Sequence, residues 1–121
     1  MSDSQNLGQK GEDVAVDHLK SKGFKILCRN WKWGKNEIDI IAEDKNFIVF
    51  AEVKTRAEDF MMAPATAITR EKQRAIISAA DGYIRVKGID KESRFDVITV
   101  IKKNDTFVPD HIEDAFYPTL R

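Results

Sequence analysis

Two alternating segments, Glu37–Glu43 and Phe47–Arg56, separated only by Asp44-Lys45-Asn46, constrain this chain more than any other stretch of it. Alternation with a period of two marks strands, and the short polar break joins them as a β-hairpin. An even-numbered turn sets Ala42 opposite Phe47, Ile40 opposite Val49 and Ile38 opposite Ala51. One face of the hairpin is then wholly apolar, from Ile38, Ile40 and Ala42 to Val49, Ala51 and Val53. The other face is apolar near the turn (Ile41, Ile48, Phe50) and charged at its far end (Glu37, Asp39, Glu52, Lys54). Strands apolar on one face and on half of the other belong in the middle of a sheet, where charge needs a reason.

Glu37, Asp39 and Glu52 repel one another when grouped in this way, and at least one is pushed towards its neutral form unless a cation answers it. Lys54 is one positive charge against three negatives. Two readings follow. The cluster is an ion network satisfied by Lys54 and Arg56, or it holds a hard divalent cation, Mg²⁺ or Mn²⁺, through carboxylates, a backbone carbonyl and water. In the second reading Lys54, two residues after Glu52 and so on the same side of the strand, can hold a water or answer charge developing on a phosphoryl group.

The rest of the chain supplies the layers that cover such a hairpin. Leu7, Val14, Ala15 and Leu19 recur at helical spacing and predict a helix from Leu7 to about Lys22, stopped by Gly23. Glu12 falls on or beside its inward face. A short strand, Lys25–Arg29, and a loop, Asn30–Asn36, lead into the hairpin. A loop from Ala57 to about Thr66 follows. Thr69 is placed to cap a second helix running to about Lys87, with Ala75, Ile76, Ala79, Ala80 and Tyr83 on one stripe and Gly88 as its end. Arg94–Lys102 alternates as a strand, and Val108–Phe116 adds an edge segment. The order αβββαβ(β) gives one α/β domain over residues 1–121, a mixed central sheet flanked by helices.

Composition narrows the function. Hydrophobic residues at 42% provide for a core, and 33% charged residues give a polar surface, which argues against wholesale disorder. The single cysteine, Cys28, excludes a disulfide framework and a multi-cysteine zinc site. Apolar runs are too short for a membrane span, and the polar N-terminus lacks a secretory signal, so a cytoplasmic protein is expected. His18 and His111 read as isolated side chains. The net charge is zero, yet His18 to Asn36 holds only basic charges, with Trp31 and Trp33 among them. Lys32 and Lys35, beside the tryptophans, are candidates for phosphate contact; anchoring in the core is the competing role for the two indoles.

Glu37-Ile-Asp39, a hairpin, then Glu52-Val53-Lys54 resembles the PD-(D/E)XK nuclease signature, carried on a restriction-endonuclease-like fold. Over nearly its full length the chain is similar to the YraN-like bacterial family, relatives of Holliday-junction resolvases. The resemblance rests on Gly8–Ala15, Asn36–Ala42, Val49–Arg56, Lys72-Gln73 and His111–Phe116. Asn36 departs from the glycine usual before the Glu-Ile-Asp run. The resemblance implies that Asp39 and Glu52 bind the metal with the Val53 carbonyl, and that Lys54 orients or polarises the attacking water. It brings Glu12 in from the first helix and sets Gln73 against water or the scissile phosphate, with Arg56 and Lys72 added to the phosphate contacts. It implies a Mg²⁺- or Mn²⁺-dependent endonuclease acting on DNA, branched or junction DNA included, as a homodimer. A nucleic-acid-binding module that keeps the fold and works through a partner is the alternative.

Overall fold

A computed structural model describes residues 3–57 and 68–118. Its elements are α1 (Asp3–Ser21), β1 (Lys25–Trp33), β2 (Asn36–Glu43), β3 (Phe47–Ala57), α2 (Arg70–Lys87), β4 (Glu92–Lys103) and β5 (Thr106–Phe116). The five strands form one mixed sheet in sequence order, β1-β2-β3-β4-β5. Only β3 and β4 run parallel, and α2 lies between them in the chain, as a parallel connection requires. The expected α/β architecture is therefore present, with the final segment a full strand. The loop predicted for Ala57–Thr66 lies, beyond Ala57, outside the described residues. No helix among the described residues is long and apolar enough to cross a membrane.

Each helix covers one face. On the α2 side Ile41, Ile48, Phe50, Phe95 and Val97 pack against Ile76, Ala79, Ala80 and Tyr83. On the α1 side Ile40, Ala42, Val49, Ala51, Ile98 and Val100 pack against Ala15, Val16 and Leu19. The central strands are thus apolar on both faces, as strands sandwiched between helices must be. The ends of α2 follow their sequence signals: Thr69 Oγ1 accepts from the Lys72 amide at 3.1 Å, and Gly88 takes the left-handed conformation at φ 63°. Helix α1 approaches β3 closely, because a Cβ on Gly11 would overlap the Thr55 side chain. That close approach sets the next residue, Glu12, beside the far end of the hairpin.

Three expectations are corrected. The hairpin register is offset by two residues, with Ile40 opposite Ala51 and Ala42 opposite Val49. The cause is Asp44, whose Oδ1 accepts from the amides of Asn46 (2.9 Å) and Phe47 (2.8 Å) and so fixes the turn one residue later. An offset of two preserves which face each side chain takes. Next, β1 does not stop at Arg29 but runs to Trp33, so only Gly34 and Lys35 connect it to β2. Asn30, at φ 56°, interrupts the pleat inside that strand and hides it from an alternation test. Finally, Ile38 packs in the α2 layer with Ile41 rather than with Ile40 and Ala42. The alternation of β2 breaks at Asp39, between the pairs Trp31–Ile38 and Arg29–Ile40 that flank Asn30.

Candidate functional site

Asp39 and Glu52 meet where β2 leaves its regular pairing with β3. Asp39 Oδ2 accepts from the Val53 amide at 2.8 Å, which holds its carboxyl against β3 beside Glu52. The Asp39 charge bears on Glu52 directly. Glu52 is only 13% exposed, and the Lys72 ammonium from α2 stands 3.8 Å from its Oε2. Burial, then the Asp39 charge, pushes the Glu52 carboxyl up to about 7, against the opposing pull of Lys72 and Lys54. Burial also raises Asp39, although the Val53 amide favours its ionised form. Lys54 is lowered by burial and by the neighbouring Arg56. These groups line an open cavity of about 510 Å³ that also reaches Gly8, Glu12 and Arg56.

The structure gathers some of the sequence-derived candidates and separates others. Asp39, Glu52, Val53, Lys54, Glu12 and Arg56 share the cavity. Glu12 is held there by Arg29, which donates to its Oε1 from Nε (3.0 Å) and Nη2 (2.7 Å), and by Asn30 Nδ2 at 3.2 Å. Arg56 donates to the Thr55 carbonyl at 3.1 Å. Glu37 stands apart from the pair as the partner of the exposed Lys32, at 3.7 Å. Lys35 is exposed in the β1–β2 turn. Gln73 lies outside the cavity and donates to the Ile68 carbonyl at 3.0 Å, whereas its neighbour Lys72 pairs with Glu52. The tryptophans pack on α2: Trp31 stacks on Trp33 and meets Tyr83 edge-on with centroids 5.0 Å apart, and a Cβ on Gly82 would strike the Trp33 ring. Trp31 is anchored against the core, whereas Trp33 remains 38% exposed.

Among the described residues no three His, Cys, Asp or Glu side chains come together in a way that could hold a metal by themselves. Two carboxylates with too little positive charge around them, in an open cavity, nonetheless fit a hard cation that keeps most of its shell as water. Sequence comparison places this arrangement in a wider group. The model of the Uncharacterised protein family UPF0102 matches residues 11–100. The chain is 44% identical over 121 residues to the UPF0102 protein of Parabacteroides distasonis, covering 100% of both. It is 40% identical over 117 residues to that of Flavobacterium psychrophilum, covering 97% of this chain and 98% of the relative. The chain belongs to the UPF0102 family. The stretch that matches the UPF0102 model runs from Gly11 past Thr99, so it includes Glu12, Asp39, Glu52, Lys54 and Lys72 and ends before β5.

One buried polar centre of this UPF0102 chain escaped the sequence. Asp96 is fully buried in β4 and accepts from Arg94 Nε (2.9 Å) and Nη2 (2.8 Å), and from the Asp114 amide at 3.0 Å. His111 Nε2 lies 2.7 Å from its Oδ2, and His111 Nδ1 lies 3.1 Å from His18 Nε2. The two histidines are therefore partners across 93 residues, not isolated. No spacing rule reaches that far. The available signal is Asp96 itself, an acid inside the apolar run Arg94–Val100.

Proposed function

We propose that the protein is a metal-dependent nuclease of the PD-(D/E)XK type on a restriction-endonuclease-like fold, hydrolysing phosphodiester bonds in DNA. The observation that carries this reading is the Asp39–Glu52 pair, buried, under-compensated and open to a cavity beside Lys54. Lys72 pairs with Glu52 at 3.8 Å and Lys54 also attracts it, yet burial still raises both acids. Asp39 and Glu52 would hold Mg²⁺ or Mn²⁺, with the Val53 carbonyl as a further oxygen donor. When bound, such an ion supplies Lewis acidity towards a phosphoryl oxygen and a more acidic water. Lys54, its proton loosened by burial, orients the attacking water or stabilises charge on the phosphate as the water oxygen bonds to phosphorus and the sugar oxygen departs with a proton. Glu12, fixed by Arg29, supports the cavity from α1.

Branched DNA and a homodimer that matches its two-fold symmetry are the substrate class and assembly that accord with the resolvase resemblance. The engagement of Glu12 by Arg29 favours a second reading, a nucleic-acid-binding module that cleaves nothing by itself. Calorimetric titration with Mn²⁺, followed by a panel of linear and branched DNAs, separates the two. The nuclease reading predicts binding and cleavage that both disappear in Asp39→Ala and Glu52→Ala while DNA binding and folding persist. Cleavage that survives Glu52→Ala would overturn it.

A further inference from the structure

A second cavity, about 830 Å³, lies along the outer face of α2, between Arg70, Gln73, Arg74 and Ile77 on the helix and Tyr117 after β5. Arg70 and Arg74 are both exposed and sit at i and i+4, so their side chains rise about 6 Å apart on one face. Among the described residues neither pairs with an acid. Asp81, at the far end of the groove, is already bonded to Arg85 at 2.7 Å. Two like charges at this spacing disfavour the helix; an external anion would reverse that cost. Opposite them Tyr117 is 68% exposed, an aromatic face left to solvent. The groove and the candidate site both use α2, from different faces: Lys72 pairs with Glu52, whereas Arg70, Gln73 and Arg74 line the groove.

We infer that this groove is a binding site for an unpaired nucleic-acid strand, with Arg70 and Arg74 on successive phosphates and a base stacked on Tyr117. Guanidinium groups suit phosphate oxygens through paired hydrogen bonds. An aromatic ring open to solvent takes a base of any sequence, but only one not already stacked within a duplex. The inference rests on the nuclease reading for its purpose and gives that reading a substrate class, nucleic acid with an unpaired segment.

The test is fluorescence anisotropy without divalent metal, using a labelled dT 20-mer, its rU counterpart and a mixed-sequence 20-bp duplex. The native protein should prefer the single strands. Arg70→Glu/Arg74→Glu should weaken single-strand binding at least ten-fold and lower its salt slope by about 1.4, the share of two phosphates. Tyr117→Ala should weaken it about ten-fold with duplex binding unchanged, and Tyr117→Phe should bind as the native protein does. All three positions are exposed, and acids in the first turns of a helix favour its dipole, so the variants retain the native circular dichroism. Native-like binding by the arginine double variant, equal loss on duplex and single strand for Tyr117→Ala, or no native preference for single strands would each overturn the inference. The same proteins assayed for cleavage with Mn²⁺ keep the two ideas apart. Groove-dependent binding without any cleavage sinks the nuclease reading alone, whereas cleavage unaffected by all three variants sinks the groove alone.

Discussion

Asp96 and the Asp39–Glu52 pair are carboxylate centres in the same sheet, and their surroundings treat them in opposite ways. Burial acts to raise Asp96, but His111, Arg94 and the Asp114 amide outweigh it and hold the carboxyl below its usual range. The centre is closed, with Asp96 at 0% and the His111 side chain at 3% exposure. At Asp39 and Glu52 burial prevails over the Val53 amide and the Lys72 and Lys54 ammonium groups that oppose it. That centre opens to a cavity. A compensated acid locks two strands together, whereas an under-compensated one remains costly to ionise. Burial alone does not distinguish a structural charge from a functional one; the balance of partners does.

The largest expected effect comes from breaking the compensated centre. Asp96→Asn leaves Arg94, whose side chain is 11% exposed, without its buried counter-charge. Urea unfolding should show a loss of about 3 kcal/mol or more. A loss below about 1 kcal/mol would mean that Asp96 is not what holds β4 to β5.

Glu52→Gln should act with the reverse sign. A carboxyl whose folded value is raised opposes folding once ionised; the penalty is absent below its ordinary value near 4.5 and complete above about 7. The variant should therefore be more stable than the native protein at pH 8, by on the order of 2 kcal/mol without metal, and the two should converge near pH 4. Thermal melts across that range check it, and a gap that does not change with pH would refute the uncompensated state of the pair.

The smallest effect concerns His18, whose folded value is lowered by burial and by His111. A histidine kept neutral by the fold contributes stability that is lost as pH falls below its ordinary 6.5. His18→Gln should flatten the decline in melting temperature between about pH 6.5 and 5, a difference of about 1 kcal/mol or less. An unchanged acid slope would show that the His18–His111 contact carries no proton linkage.

Much of this architecture was legible because it depends on local chemistry. The two-residue period brought Asp39 and Glu52 to the same end of the hairpin, although the alternation of β2 breaks at Asp39, and Thr69, Gly23 and Gly88 marked helix ends through capping and left-handed backbone. Reading Glu12 onto the inner side of α1 also succeeded, since a helix face follows from spacing alone. What escaped depends on tertiary placement or on single-residue backbone choices. Asp44 shifted the hairpin register through a side-chain turn, and Asn30 disguised the second half of β1 by leaving the strand conformation for one residue. That Arg29 would occupy Glu12, that Lys72 rather than Gln73 would reach Glu52, and that His18 would find His111 are consequences of packing between distant segments.

The link from His18 to His111, reinforced by the Lys22–Glu113 ion pair at 3.0 Å, has a meaning for synthesis as well as for stability. Neighbouring strands of this sheet are also neighbours in sequence, so a nascent chain can build β1, β2 and β3 as it emerges. Helix α1 can pack on them through Ala15, Val16 and Leu19, but the polar contacts of His18 and Lys22 wait until β5 is made. A chain that stops before residue 111 also deprives Asp96 of a partner and leaves a buried acid short of compensation. Incomplete molecules are thereby marked by an electrostatic defect at their centre, which makes them easier to unfold and remove than the finished protein.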